Sequence, residues 1–243
     1  TKILRSCIDK CKKSRQLKDS GFELFAIWSE ALSSLGILTD RLDLIYDAQN
    51  KILEIETDNS YFFYPSGTCL MALGTYFKDP DFHYQAVEHF QKGLSINRAN
   101  HKLWYGLGIA YTKAGLLDHD EQNFENAIKF FTRALHLRSS TSYHFHFGLC
   151  LYKFGEMLHN QTLIERSIMQ FEQALNGQKN AIYVHPNWLF QYACSLDLLG
   201  EFIESEESHS QALDILNNIL TIHPQFPSIH YQIALVYSHY GES

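Results

Sequence analysis

Five glycines, Gly36, Gly74, Gly115, Gly155 and Gly200, set a register that constrains everything else about this chain. Twelve positions after them stand small residues: Ala48, Ala86, Ala127, Ser167 and Ala212. Four positions further come Ile52, Phe90, Phe131, Phe171 and Leu216, and three beyond those Ile55, Gly93, Ala134, Ala174 and Ile219. Successive glycines are 38, 41, 40 and 45 residues apart, and Gly241 follows after another 41. A chain that repeats itself at such a period cannot bury an apolar face within one unit. It must stack neighbouring units, each a supersecondary element, into a continuous core.

Each unit reads as two helices. The first carries apolar or small residues at i, i+3, i+4 and i+7, as in Trp104, Leu107, Gly108 and Tyr111. The glycine then ends that helix or loosens its last turn. A polar connector follows, such as residues 117–121 or 204–207, and the second helix runs through the Ala-x3-Phe-x2-Ala stripe of Ala127, Phe131 and Ala134. Small residues at fixed points let the two helices approach closely, and the large residue between them fills the groove.

In this register the sequence resembles the tetratricopeptide repeat (TPR) family, whose Trp, Leu-Gly, Tyr, Gly, Ala, Phe, Ala pattern is met best by Trp104, Leu107, Gly108, Tyr111, Gly115, Ala127, Phe131 and Ala134. The resemblance covers nearly the whole chain and implies an all-α, right-handed superhelical solenoid of antiparallel helix pairs. Two departures stand out. The family's closing proline survives only at Pro224, with Ser60, Arg98, Ser139 and Lys179 in its place elsewhere. Glycine and alanine are also seven residues further apart than in the family, about two helical turns, one for each partner of a taller hairpin.

The expected organisation is a single TPR-like solenoid over residues 1–243. It comprises repeats at 20–60, 61–98, 99–140, 141–179 and 180–226, with 227–243 the first helix of another. Counting back one unit places Cys7, Cys11 and Ser14 in the second-helix register. Residues 1–19 then read as the second helix of a truncated repeat, and the chain as a fragment of a longer one.

Composition removes several function classes. The net charge is −7, and residues 1–20 hold seven basic against two acidic side chains, leaving 13 against 25 for the rest. So acidic a body is a poor match for a nucleic-acid backbone. The uncharged run at 61–77 is broken by Pro65 and Gly67, so no membrane span is expected. Five scattered cysteines without a CxxC read as reduced thiols of a cytoplasmic protein. None of the 13 histidines has another four residues later, the spacing that puts two metal ligands on one helix face. They read as packing and surface residues, with no metal and no cofactor. No nucleophile elbow, phosphate-binding glycine loop or calcium loop is present, so no catalytic residues are assigned and the chain reads as no enzyme.

The functional signal lies on the first helices. In the TPR family the residue after the tryptophan position faces the concave groove, and here it is Tyr64, Tyr105, Phe145, Phe190 and Tyr231, after Ala26 in the first unit. Four residues on stand Thr68, Ile109, Leu149, Cys194 and Leu235, and three further Met71, Thr112, Tyr152, Asp197 and Ser238. A helix apolar on both faces is either buried on both or presents an interaction stripe. The expected site is a groove of Tyr64, Tyr105, Ile109, Phe145, Leu149, Tyr152, Phe190 and Tyr231 that takes an apolar protein or peptide segment. The same residues pack between repeats if these wind tightly. TPR domains that clamp a C-terminal carboxylate carry Lys and Asn at these positions, and aromatics replace them here. A scaffold is therefore the expected function. Its alternatives are a chaperone-like TPR protein for secretion substrates and a regulatory domain of a larger enzyme.

Overall fold

A computed structural model describes residues 2–16, 22–53, 59–177, 185–226 and 228–242. Among these residues there are twelve α-helices and no strand. Contacts divide the chain into two compact units, Thr1–Arg138 and Ser139–Ser243. In the first, α1 (Lys2–Gln16) packs on α2 (Phe22–Thr39), and α2 forms a hairpin with α3 (Leu42–Leu53). After a short 3-10 turn at Ser60–Phe62, α4 (Phe63–Phe77) pairs with α5 (Pro80–Ile96), and α6 (His101–Asp118) with α7 (Glu121–Leu137). In the second unit α8 (Thr141–Leu158) pairs with α9 (Gln161–Asn176) and α10 (Pro186–Ile203) with α11 (Glu206–Ile222). Helix α12 (Ile229–Glu242) packs on α11 and α10. Each unit is thus an all-α stack of hairpins in which first helix lies beside first helix.

The repeating glycine does not end the first helix, as its position in the sequence suggests. No glycine among the described residues has a positive φ. The helix runs on for about four residues and stops at Asp40, Lys78, His119, His159 or Glu204, all in the left-handed region with φ between 49° and 55°. The next residue then opens the second helix. Asp79, Asp120, Asn160 and Ser205 each accept a backbone N–H of the following turn on their side chains, at 3.0–3.3 Å. Their own N–H groups close the preceding helix, as from Asp79 to the Gly74 carbonyl (3.1 Å) and from Asn160 to that of Gly155 (2.9 Å). Only two residues separate the helices of such a hairpin, so most of the expected connector is helical.

What the glycine supplies is room. A Cβ at Gly36 would stand 2.6 Å from Ile45, at Gly74 2.8 Å from His83, at Gly115 3.0 Å from Phe124, at Gly155 2.6 Å from Ile164 and at Gly200 2.7 Å from His209. These partners all lie nine residues after the glycine and are buried. One helical plug per hairpin therefore seats directly on the backbone of the first helix. Seven residues before the glycine a second contact repeats the device: Gly67 lies against Phe90, Gly108 against Phe131 and Gly148 against Phe171. Phe90 is held from both sides, because Gly106 of the next first helix approaches it as well. Between the two contacts sit the small residues Ala48, Ala86, Ala127, Ser167 and Ala212, all inaccessible to solvent.

At the N-terminal end, Ile8 and Cys11 are buried in one cluster with Trp28, Leu32 and Leu35, and Leu4 and Cys7 are packed against it. The apolar face of α1 is thus covered by α2.

Two expectations follow. Gly148→Leu should destabilise the protein by roughly 1–3 kcal/mol or more, because a side chain there collides with the Phe171 ring rather than gaining helix propensity. Denaturant melts of the variant check the sign. His83 gives a pH signature: burial first, and then the nearby Lys113, push its pKa from 6.5 down to about 4, against the weaker upward pull of Asp79 and Asp118. Its neutral form is the folded form, so the unfolded chain binds the proton first. The stability it brings is complete above about pH 6.5 and is lost as pH falls towards 4. That loss amounts to roughly 3 kcal/mol. His83→Leu, which places an aliphatic plug where other repeats carry Ile45 or Ile164, should flatten the melting temperature across that interval.

Candidate functional site

The residues expected to form the groove lie on the first helices of both units. In the first unit Tyr64 on α4 lies 6.1 Å from the Phe90 ring, with the Lys102 ammonium 6.0 Å above it. Tyr105 on α6 meets Phe131 edge-on at 6.1 Å. In the second unit Phe145 on α8 contacts Phe171 at 5.6 Å and stacks on Trp188 of α10 at 4.7 Å. The positions are aromatic because each ring packs against the large residue of its own hairpin's second helix. Tyr105, Phe145 and Tyr152 are only 8%, 4% and 7% exposed. Where an open groove was expected, these three side chains are buried, Tyr105 and Phe145 against their own hairpin's second helix and Phe145 also under Trp188. Tyr64, Ile109, Leu149 and Phe190 are half-buried, and Tyr231 is 70% exposed. Phe190 packs on Phe226 at 5.3 Å.

An opening does remain on the first-helix face of the first unit. A cleft of about 210 Å³ lies between α2, α4 and α6, with Ile37, Met71 and Ala72 as its apolar part. Glu30, Ser33, Ser34, Thr68 and Thr75 supply polar walls, and Lys113 stands at one edge. Thr68 and Met71 belong to the register that the sequence assigned to the groove, whereas none of the eight predicted residues lines this cleft. Lys113 donates to the Thr75 hydroxyl at 2.9 Å, and burial lowers the pKa of its ammonium. Thr75 in turn donates to the Met71 carbonyl at 2.8 Å. A larger cleft of about 550 Å³ lies between α5, α6 and α7, floored by Trp104 and Phe130 and flanked by Arg98 and Arg133.

Burial pushes Cys69 up to about 11 and Cys194 up to about 12, so both stay protonated at neutral pH. The described cysteines are all free. No helix among the described residues is long and apolar enough to cross a membrane.

One constellation of metal-ligating types is assembled from three different helices and not along any single one. Asp197 on α10, His209 on α11 and His239 on α12 bring a carboxylate oxygen and two ring nitrogens within 4.8 Å of one another. Histidines read one by one as ordinary packing residues are here gathered from different helices, so spacing along the sequence carried no signal for them.

The architecture defines the class: this is an all-α helical-repeat protein with the fold of the tetratricopeptide repeat proteins. Among solved structures it is similar to TTC0263, a thermophilic TPR protein of Thermus thermophilus, with a TM-score of 0.59 at 15% identity over 86% of this chain and 98% of that one. It is also similar to YrrB, described as a TPR protein with an unusual peptide-binding site, with a TM-score of 0.51 at 19% identity over 91% and 96% of the two chains. At these identities the likeness is one of fold. Among curated proteins, bimA of Emericella nidulans is 40% identical over 45 residues, which span 18% of this chain and 6% of that protein. No family model matches the sequence.

The burial of Phe145 can be measured directly. Phe145→Ala should cost about 3–5 kcal/mol of stability, the range for an aromatic truncated inside a core. A ring lining an open groove would be removed with little change in the denaturation midpoint.

Proposed function

We propose that the chain is a non-catalytic interaction scaffold, and that its first unit holds an extended peptide segment on the first-helix face. The observation that carries this reading is the cleft of Ile37, Met71 and Ala72 with the half-buried Lys113 at its edge. An ammonium whose charge is opposed by burial, and whose described hydrogen-bond partner is a neutral hydroxyl, favours an incoming anion. The peptide that suits the cleft therefore offers a small or medium apolar side chain to Ile37 and Met71 and a carboxylate to Lys113. Tyr64 and Ile109 border the same face in the first unit, and Leu149, Phe190 and Tyr231 are candidates for a contact surface on the second. The likeness to a TPR protein described as having a peptide-binding site supports a peptide as the class of partner.

Lys113→Met and Ile37→Glu test the reading on the full chain, with binding measured against a peptide library. Lys113→Met should raise the melting temperature, because an opposed charge is removed, while it weakens acidic peptides about tenfold or more. Ile37 is already half exposed, so Ile37→Glu should leave the fold intact and abolish retention of the apolar class. A folded pair of variants that bind peptides as the parent does would sink the proposal.

A further inference from the structure

We propose that Asp197, His209 and His239 form a zinc site that fastens α12 to the hairpin of α10 and α11. His209 is the plug of its hairpin, seated where a Cβ on Gly200 would stand 2.7 Å from its ring, and it is fully buried with Nδ1 2.8 Å from Asp197 Oδ1. His239 directs Nδ1 at the same oxygen from α12, at 3.3 Å, and its Nε2 lies 2.6 Å from Glu201 Oε1. Gln232 donates to the other oxygen, Oδ2, at 3.3 Å.

Donor accounting singles out a cation. Ionised carboxylates only accept hydrogen bonds, and a neutral imidazole has one N–H to give. His209 can give its proton to Asp197 and remain neutral. His239 faces a carboxylate with each nitrogen, so once Nε2–H is given to Glu201, Nδ1 needs either a second proton or a metal ion. Among the described residues the hydrogen-bond and ion-pair partners of Asp197 are His209, His239 and Gln232, with no Lys or Arg. A carboxylate at 3% exposure requires compensation. One imidazolium or one divalent ion supplies it.

The arrangement favours the ion. Two histidine nitrogens and one carboxylate oxygen, with a fourth position left for water, are a common zinc set, and bonds of about 2.0–2.2 Å place such donors roughly 3.3–3.5 Å apart. The present 2.8 and 3.3 Å contacts need to open only slightly. Glu201 holds His239 as an outer carboxylate holds a metal-bound imidazole, fixing which nitrogen faces the ion. The chain also contains its own contrast. His83 fills the same plug position in the first unit, but Met71 stands there in the register of Asp197, and the His83 Nδ1 has no hydrogen-bond partner.

The test uses the full, untagged chain, stripped with a chelator and titrated with Zn2+, with Co2+ as the spectroscopic stand-in. One equivalent of zinc should bind and raise the melting temperature, and cobalt should give the intense visible absorption of a four-coordinate nitrogen–oxygen site. His239→Gln should abolish both effects. Glu201→Gln should weaken zinc about 10–100-fold. His83→Leu should leave the affinity unchanged. His239 and Glu201 are accessible enough for their variants to fold, which the metal-free melts of each will show, so the outcome does not depend on replacing the buried Asp197 or His209. Absence of zinc uptake by the parent, or uptake that survives His239→Gln, overturns the proposal and leaves an imidazolium as the counter-ion.

Discussion

The structure depends on how closely the two helices of a hairpin approach, at one glycine contact in all five hairpins and at a second in three of them. The residue nine positions after the repeating glycine is pressed against that glycine's Cα. The large residue of the second helix is pressed against the small residue seven positions before it. With Cβ atoms at both points the helices would have to separate beyond van der Waals contact, and the column of fully buried small residues between them would open into voids. Close approach inside each hairpin then fixes where its outer faces stand, and so how the next hairpin can be laid against it. Phe90, trapped between Gly67 and Gly106, shows this coupling most directly, because one ring sets the spacing both within its hairpin and to the next.

The plug position also explains how the repeat can host chemistry without losing its fold. Ile45, Phe124 and Ile164 fill it with hydrocarbon, while His83 and His209 fill it with imidazole of similar bulk. At His83 the cost is an unpartnered nitrogen and a pKa driven down to about 4. At His209 a carboxylate three residues before the glycine meets the ring and a second histidine joins from α12. The same slot is thus a packing defect in one repeat and the centre of a polar network in another. The difference starts from a single residue in the first helix.

The aromatic stripe of the first helices shows why a family position does not carry its role with it. In the register that faces the groove in TPR proteins, Tyr105 and Phe145 lie against the large residues of their own second helices, and Phe145 is covered further by Trp188. These rings are enclosed chiefly by the second helix of their own hairpin, and in the second unit also by Trp188 of the following first helix. The cleft of the first unit is lined instead by Thr68, Met71 and Thr75, which stand four, seven and eleven residues after Tyr64.

The repeat and the pairing of helices were legible in the sequence because they follow from local periodicity: small and large residues at fixed intervals permit one hairpin geometry. The packing role of small residues such as Gly108 could be read for the same reason. The sequence misled where a residue's role depends on what faces it. The glycine near the end of each first helix looks like a terminator until the plug opposite is seen, and the helix stops about a turn later at residues of no common type. Whether Phe145 is a groove or a core residue was decided by Trp188 across the hairpin boundary. Asp197, His209 and His239 share no spacing along the chain, since each comes from a different helix. Periodicity records what lies along one helix, and only the tertiary structure records what one helix brings to another.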